Sequence, residues 1–159
     1  MTTTVSGIPA LIDQLVTIAV AAFGASSPVE VFDGPGVSKD DTGQQLWIGV
    51  TDPTQGSETA AESSQSWGPM STQHKRDEEI TVHCLALAWS GDDDLKTVRD
   101  QAFAQMQVVS AAAVADPSLS AACLYVRSPG SGVTLVQGPN RRGFEARVGF
   151  DITARVRLT

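Results

Sequence analysis

The sequence predicts an α+β domain: a mainly antiparallel β-sheet of about five to six strands, two α-helices packed on one face, and a long polar hairpin arm. Three observations predict it. From Phe144 onward Phe, Ala, Val, Phe, Ile, Ala, Val and Leu alternate with Glu145, Arg147, Gly149, Asp151, Thr153, Arg155 and Arg157, and a period of two is the mark of a strand with one buried face. Two other stretches, 8–23 and 95–113, repeat apolar residues at helical spacing. The text between them breaks into short apolar runs bounded by Gly, Pro and Ser. Helix, strands, helix, strands, with a partly polar strand face, gives a sheet covered on one side.

The first helix carries Ile8, Leu11, Ile12, Leu15, Ala19, Ala22 and Phe23 along one stripe. Ser6 or Gly7 can cap it, Pro9 fits its first turn, and Gly24 can end it in a left-handed conformation. Val16, Ile18 and Val20 widen the stripe, so this helix is either well covered or part of a subunit contact. Residues 28–33 read as a strand, Asp33-Gly34-Pro35-Gly36 as turn chemistry, and 45–50 as a second strand, expected antiparallel to the first. Residues 51–79 form the polar arm, rich in Ser, Thr, Gln and Gly, with Trp67 and Met70 as its large apolar residues. A connection this long is functional or loosely held. Trp67 either docks on its own domain or anchors the arm on a partner.

Residues 79–89 are the third strand, polar on one side at first and apolar on both sides later. Asp92-Asp93-Asp94 opens the second helix, where carboxylates cap free N–H groups and oppose the macrodipole. Leu95, Val98, Ala102, Met106, Val109 and Ala113 line one side of it, and it should end near Asp116-Pro117. Residues 122–127 and 133–137 are the fourth and fifth strands, and Gly138-Pro139-Asn140 turns into the final strand. No internal repeat or domain boundary interrupts the chain, so 1–159 is one domain, a size sufficient for a proper core.

Charge and composition exclude several functions. A net charge of −7 argues against a dedicated nucleic-acid binder, which needs a basic face to displace counterions from phosphates. Five of the 11 basic residues nevertheless fall late, as Arg141, Arg142, Arg147, Arg155 and Arg157. The polar face of the last strand is therefore mainly basic in an acidic chain: either a solvated sheet face or a surface that meets an acidic one on another copy. No apolar run approaches a membrane span, and Met1 to Val5 has no basic n-region, so the expected location is the cytosol in which the chain is made.

No constellation of residues marks an active site or a cofactor. Asp92-Asp93-Asp94 lacks the alternate oxygen ligands, central glycine and closing Glu of a calcium loop. His74 and His83 have no ligands at zinc spacing beside them, and His83 and Cys84 are successive strand residues that point to opposite faces. Residues 33–36 lack the lysine and serine of a phosphate loop. Cys84 and Cys123 lie in apolar strand-like text and read as two small buried thiols. The expectation is no catalytic residue, metal or cofactor, and a protein that works by assembly or binding.

Taken in order, these features resemble the tail terminator (tail completion) proteins of long-tailed bacteriophages, especially those of actinobacterial hosts. The resemblance runs over most of the chain. After the N-terminal amphipathic helix come Val31-Phe32-Asp33-Gly34-Pro35 and Leu46-Trp47-Ile48-Gly49-Val50, then Ser64-Gln65-Ser66-Trp67-Gly68 in the arm. Arg76-Asp77-Glu78-Glu79 runs into Ile80-Thr81-Val82-His83-Cys84; Ser90-Gly91-Asp92 precedes a helix containing Val98-Arg99; and Arg142-Gly143-Phe144-Glu145-Ala146-Arg147-Val148 opens the last strand.

The resemblance implies a virion protein, assembled in the host bacterial cytoplasm, that caps the tail tube as a hexameric ring. It would end tube polymerisation and present a joint to the head connector. Its partners would be copies of itself, the tail tube protein and the connector or stopper, with DNA passing through without sequence-specific binding and no membrane contact. The expected contact residues are Trp67 and Met70 in the arm and Arg147, Arg155 and Arg157 on the last strand. Another neck or tail component, such as a head–tail stopper or tube subunit, and a small-molecule-binding α+β domain are the alternatives.

Overall fold

A computed structural model describes residues 4–36, 43–52, 59–68, 75–91, 94–141 and 143–158. The chain runs α1 (Ile8–Phe23), β1 (Glu30–Asp33), β2 (Gln44–Ile48), β3 (Ala61–Trp67), β4 (Arg76–Ser90), α2 (Leu95–Ala115), β5 (Tyr125–Arg127), β6 (Val133–Asn140) and β7 (Gly143–Leu158). The fold is α+β, with two helices on one open, mostly antiparallel seven-stranded sheet.

The alternating residues of β7 are the spine. They pair antiparallel with β4 along its whole length, from Arg76 opposite Leu158 to Ser90 opposite Phe144. Ile80, Val82, Cys84, Ala86 and Ala88 stand opposite Ala154, Ile152, Phe150, Val148 and Ala146, and all ten are buried in one cluster with Leu11, Leu15, Val98, Ala102 and Val109 of the helices. At ~25 cal/mol per Å² of apolar area, each large side chain in that layer contributes roughly 1.5–3 kcal/mol.

Each flank of the long pair is a strand broken near its middle. Beside β4, β2 covers residues 84–88 and β3 covers residues 76–82. Beside β7, β6 covers residues 143–150 and β5 covers residues 153–155. The breaks fall level with His83 of β4 and Asp151 of β7, which pair with each other; residues 128–132 at the second contain a cis Ser128–Pro129 bond.

Several boundaries differ from the sequence reading. β1 pairs with β2 in parallel, not antiparallel. The commonest hairpin loops have about two to five residues, and ten residues separate Asp33 from Gln44, more than such a turn uses. Within the predicted arm, 61–67 form β3, which pairs along the sheet edge with β4. Its backbone satisfies the donors and acceptors along the first half of β4, which starts at Arg76 instead of Glu79. The fourth strand shortens to Tyr125–Arg127 because Leu119, Ser120 and Ala121 take left-handed backbone angles, held by Asp116, whose carboxylate accepts from the Ser120 N–H at 2.7 Å. Gly138 to Asn140 belong to β6, and the turn falls after them, from Arg141. Gly143 is required there, with φ +139 and a position where a Cβ would run into the Ser90 carbonyl.

Both helices end as read. Asp94 caps α2 through the Thr97 N–H at 3.2 Å, and Asp116 is its C-cap; Asp92 and Asp93 lie outside the described residues. α1 starts at Gly7 with Pro9 in its first turn and stops at Gly24, φ +77. Ser6 Oγ accepts from the Ile8 N–H at 3.2 Å, as the sequence allows, and a further cap comes from far away in sequence. The Glu78 carboxylate, fully buried on β4, accepts from the Gly7 N–H at 2.6 Å, Ser6 Oγ at 2.7 Å, Ser63 Oγ at 2.7 Å and Gln65 Nε2 at 3.3 Å. One side chain thereby ties α1, β3 and β4 together.

Candidate functional site

The uncovered face of the sheet follows from the same alternation. Opposite the core, β4 presents Asp77, Glu79, Thr81 and His83, and the register sets them against Arg157, Arg155, Thr153 and Asp151 of β7. This gives two clusters of paired charge.

At one end Arg155 and Arg157 close on a single carboxylate. Arg155 Nη2 donates to Asp77 Oδ2 at 2.7 Å, and Arg157 donates from Nε to Oδ1 at 2.9 Å and from Nη2 to Oδ2 at 3.2 Å. The hydrogen bonds from Arg157 and then Arg155 pull the Asp77 carboxyl down to about 2. The sign follows: the unfolded chain takes up this proton more readily, so the clamp stabilises fully above 3.8 and is lost as pH falls toward about 2. Asp77→Asn is therefore expected to be less stable than the parent near neutral pH, with the gap closing across that interval. Urea unfolding at a series of pH values checks it; a gap that persists unchanged at the acid end refutes the assignment.

The second cluster lines a cavity of about 340 Å³ where the two flanking strands break. Val50, Thr51 and Asp52 form one wall, Ser131, Gly132 and Thr134 the other, and His83, Arg147 and Asp151 the floor. Asp151 accepts from Ser131 Oγ at 2.7 Å and lies 2.7 Å from His83 Nδ1, while His83 Nε2 is 3.2 Å from Glu62. Arg147 donates from Nε to Glu145 at 2.8 Å and from Nη1 to the nearly buried Asp52 at 3.2 Å.

These residues form no nucleophile–base pair with one another. Ser131 hydrogen-bonds a carboxylate instead of a ring nitrogen, and both nitrogens of His83 face carboxylates, so no base is aimed at the hydroxyl. Burial pushes the Cys84 thiol up to about 12, so it stays protonated at neutral pH. Burial also raises the Cys123 thiol, and both cysteines are free and buried. Among the described residues no group of three His, Cys, Asp or Glu side chains is placed to hold a metal ion, and no helix is long and apolar enough to cross a membrane.

The sequence-predicted contact residues are separated by this arrangement. Arg155 and Arg157 meet at Asp77 and remain 43% and 48% exposed, whereas Arg147 belongs to the cavity floor. The basic row is thus largely matched by acidic groups of its own chain. Trp67 lies on the opposite, helix-bearing face, where its Cα partner is Arg76, and it is 67% exposed with the Arg76 guanidinium over its ring at 5.1 Å. Met70, His74 and Arg142 lie outside the described residues.

Residues that sequence reasoning passed over are Glu78, Asp52 and Asp151; β6 was expected as the fifth strand, but its place at a sheet edge was not. β6 exposes Val133 and Leu135, much as β3 exposes Trp67 beside the exposed Val5. The signal for Asp151 and His83 was their shared polar parity on two long strands, but only the register shows that they face each other. Compared with protein-family models and with curated proteins, the chain gives no match.

Proposed function

We propose that this protein is a structural component of a phage virion that closes the tail tube as a hexameric ring, ends its polymerisation and provides the joint to the head connector. The order of features described above supports this reading. The structural observation that carries it is the placement of the exposed apolar side chains. Trp67 and Val5 sit at one edge of the sheet, and Val133 and Leu135 at the other. Two different patches on opposite sides of one domain suit a heterologous interface, which forms a ring when the rotation between copies closes.

The test is polymerisation of purified tail tube subunits with and without the protein, followed by electron microscopy and light scattering. Expected are tubes that stop growing and carry one terminal ring of about 100 kDa, six chains of 16.7 kDa. Tubes that elongate unchanged, with bare ends, overturn the reading. The cavity favours a second reading, a small-molecule-binding domain, because it gathers Arg147, His83, Asp151 and Ser131 around about 340 Å³. Polar ligands that raise the melting temperature of the parent and not of Arg147→Ala would favour that alternative.

A further inference from the structure

We infer that copies of this chain join by antiparallel pairing of β3 in one copy with β6 in the next, in the register that sets Trp67 opposite Val133. This rests on the ring reading for its biological setting and on the sheet alone for its geometry. Among the described residues, no strand pairs with the outer edge of β3 or of β6. They are also the longest edge strands, with 7 and 8 residues against 4 in β1 and 3 in β5. Open edges of this kind are templates for another chain, and natural sheets usually blunt them with charge or proline. β6 has no charged residue and its one proline, Pro139, lies at the far end; β3 has only Glu62. No like charges would oppose one another in the joint.

The strand directions agree. β3 and β7 both run antiparallel to β4, and β6 runs antiparallel to β7. For two copies that present the same face, β6 of one therefore meets β3 of the next antiparallel without either sheet being turned over, and a turn between copies at the joint is what closes a ring.

Side-chain parity agrees as well. Val133 and Leu135 have Phe150 and Val148 as Cα partners, and Trp67 has Arg76, which itself faces Leu158; all lie on the helix-bearing face. Placing Trp67 opposite Val133 brings Gln65 against Leu135 and Ala61 against Pro139 on that face. It forms an aromatic to β-branched cross-strand pair, the type that stabilises sheets.

The outline of the sheet selects the stagger. β1 lies one strand further out than β3, because β2 stands between β1 and β4 while β3 pairs with β4 directly. If two copies stood level with β3 against β5, β1 of the second would occupy the place of β6 in the first. The Trp67–Val133 register shifts the second copy along the strands from the level of Leu158 to that of Phe150. That step is about eight residues, roughly 27 Å, and it carries β1 just past the Asn140 end of β6. The step in one edge of the sheet thus fits the step in the other.

The experiment is cross-linking of the free, concentrated protein carrying Trp67→Cys and Val133→Cys, using a short bifunctional maleimide. The native cysteines are buried. A ladder of dimers and higher multimers is expected, and its loss when Thr134→Cys, on the opposite face, replaces Val133→Cys. Trp67→Lys or Val133→Lys alone should abolish association in light scattering, and Trp67→Glu with Val133→Lys should restore it. Both positions are exposed, so these variants fold. An absent ladder, or an equal one from the wrong-face pair, overturns the pairing. Tube capping that survives either result leaves the ring reading standing without this joint; a ladder from a protein that leaves tubes uncapped keeps the joint and removes that function.

Discussion

Glu78→Ala is expected to cost about 2–4 kcal/mol of folding stability, because it removes a charged acceptor from four donors at once, one of them the buried Gly7 N–H. The Gly7 N–H suffers most. It belongs to the first turn of α1, has no other cap, and is buried where water cannot replace the carboxylate. Ser6, Ser63 and Gln65 are less enclosed and recover part of their loss by turning toward solvent. Glu78→Gln keeps one acceptor oxygen but turns an N–H₂ toward donors, so it should lie between the parent and the alanine variant.

Acid should separate the two contributions. Burial alone would raise the Glu78 carboxyl, but the hydrogen bonds from Gly7, Ser6, Ser63 and Gln65 outweigh it and hold the group below 4.5. A depressed value means that the contribution is complete above 4.5 and fades as pH falls through the folded value. The stability gap between the parent and Glu78→Gln should therefore be constant near neutral pH and narrow in acid. Urea denaturation of the three proteins across that range measures both effects. An alanine variant as stable as the parent would show that Glu78 does not cap the helix.

Glu78 also shows why some of the molecule could be read from the sequence and some could not. The long last strand was legible because one of its faces is buried throughout, and burial writes a period of two into the residues themselves. The two helices were legible for the same reason at a different period. Glu78 sits in Arg76-Asp77-Glu78-Glu79, which looks like a solvated charge run; its burial depends on Ser6 and Gly7 arriving from the other end of the chain. β3 was missed as a strand because Glu62 to Trp67 are exposed. Backbone pairing to β4 holds them, and nothing selects apolar side chains where nothing covers them.

The candidate site was less legible than the fold. Arg147, Arg155 and Arg157 could be placed on one face, but apart from Glu145, which stands beside Arg147 on β7, their partners come from elsewhere in the chain: Asp77 from β4 and Asp52 from the loop after β2. Which carboxylate meets which guanidinium is a property of register, and register between distant strands is not written in either one. The parallel sense of β1 and β2 is hidden for a similar reason, since it depends on the path of residues 34–43 and not on the composition of the strands.

Phe150→Ala should produce the larger loss, about 3–5 kcal/mol, the range for truncating a buried phenylalanine. Phe150 is 2% exposed at the middle of β7, between Cys84 on β4 and Val133 on β6. Its buried neighbours along β7 and on β4 belong to long strands paired on both sides, which cannot collapse into the space without breaking their ladders. The cavity should therefore persist, and its cost adds to the lost transfer energy. Thr153→Ala provides the contrast. It lies on the same strand but on the uncovered face opposite Thr81, and should change stability by less than about 1 kcal/mol. Chemical denaturation of both variants decides the matter. If the two losses were similar, the alternation along β7 would not divide core from surface. A large loss at 150 and a small one at 153 would show that the two faces of this strand do different work, one holding the helices to the sheet and the other left free to carry charge.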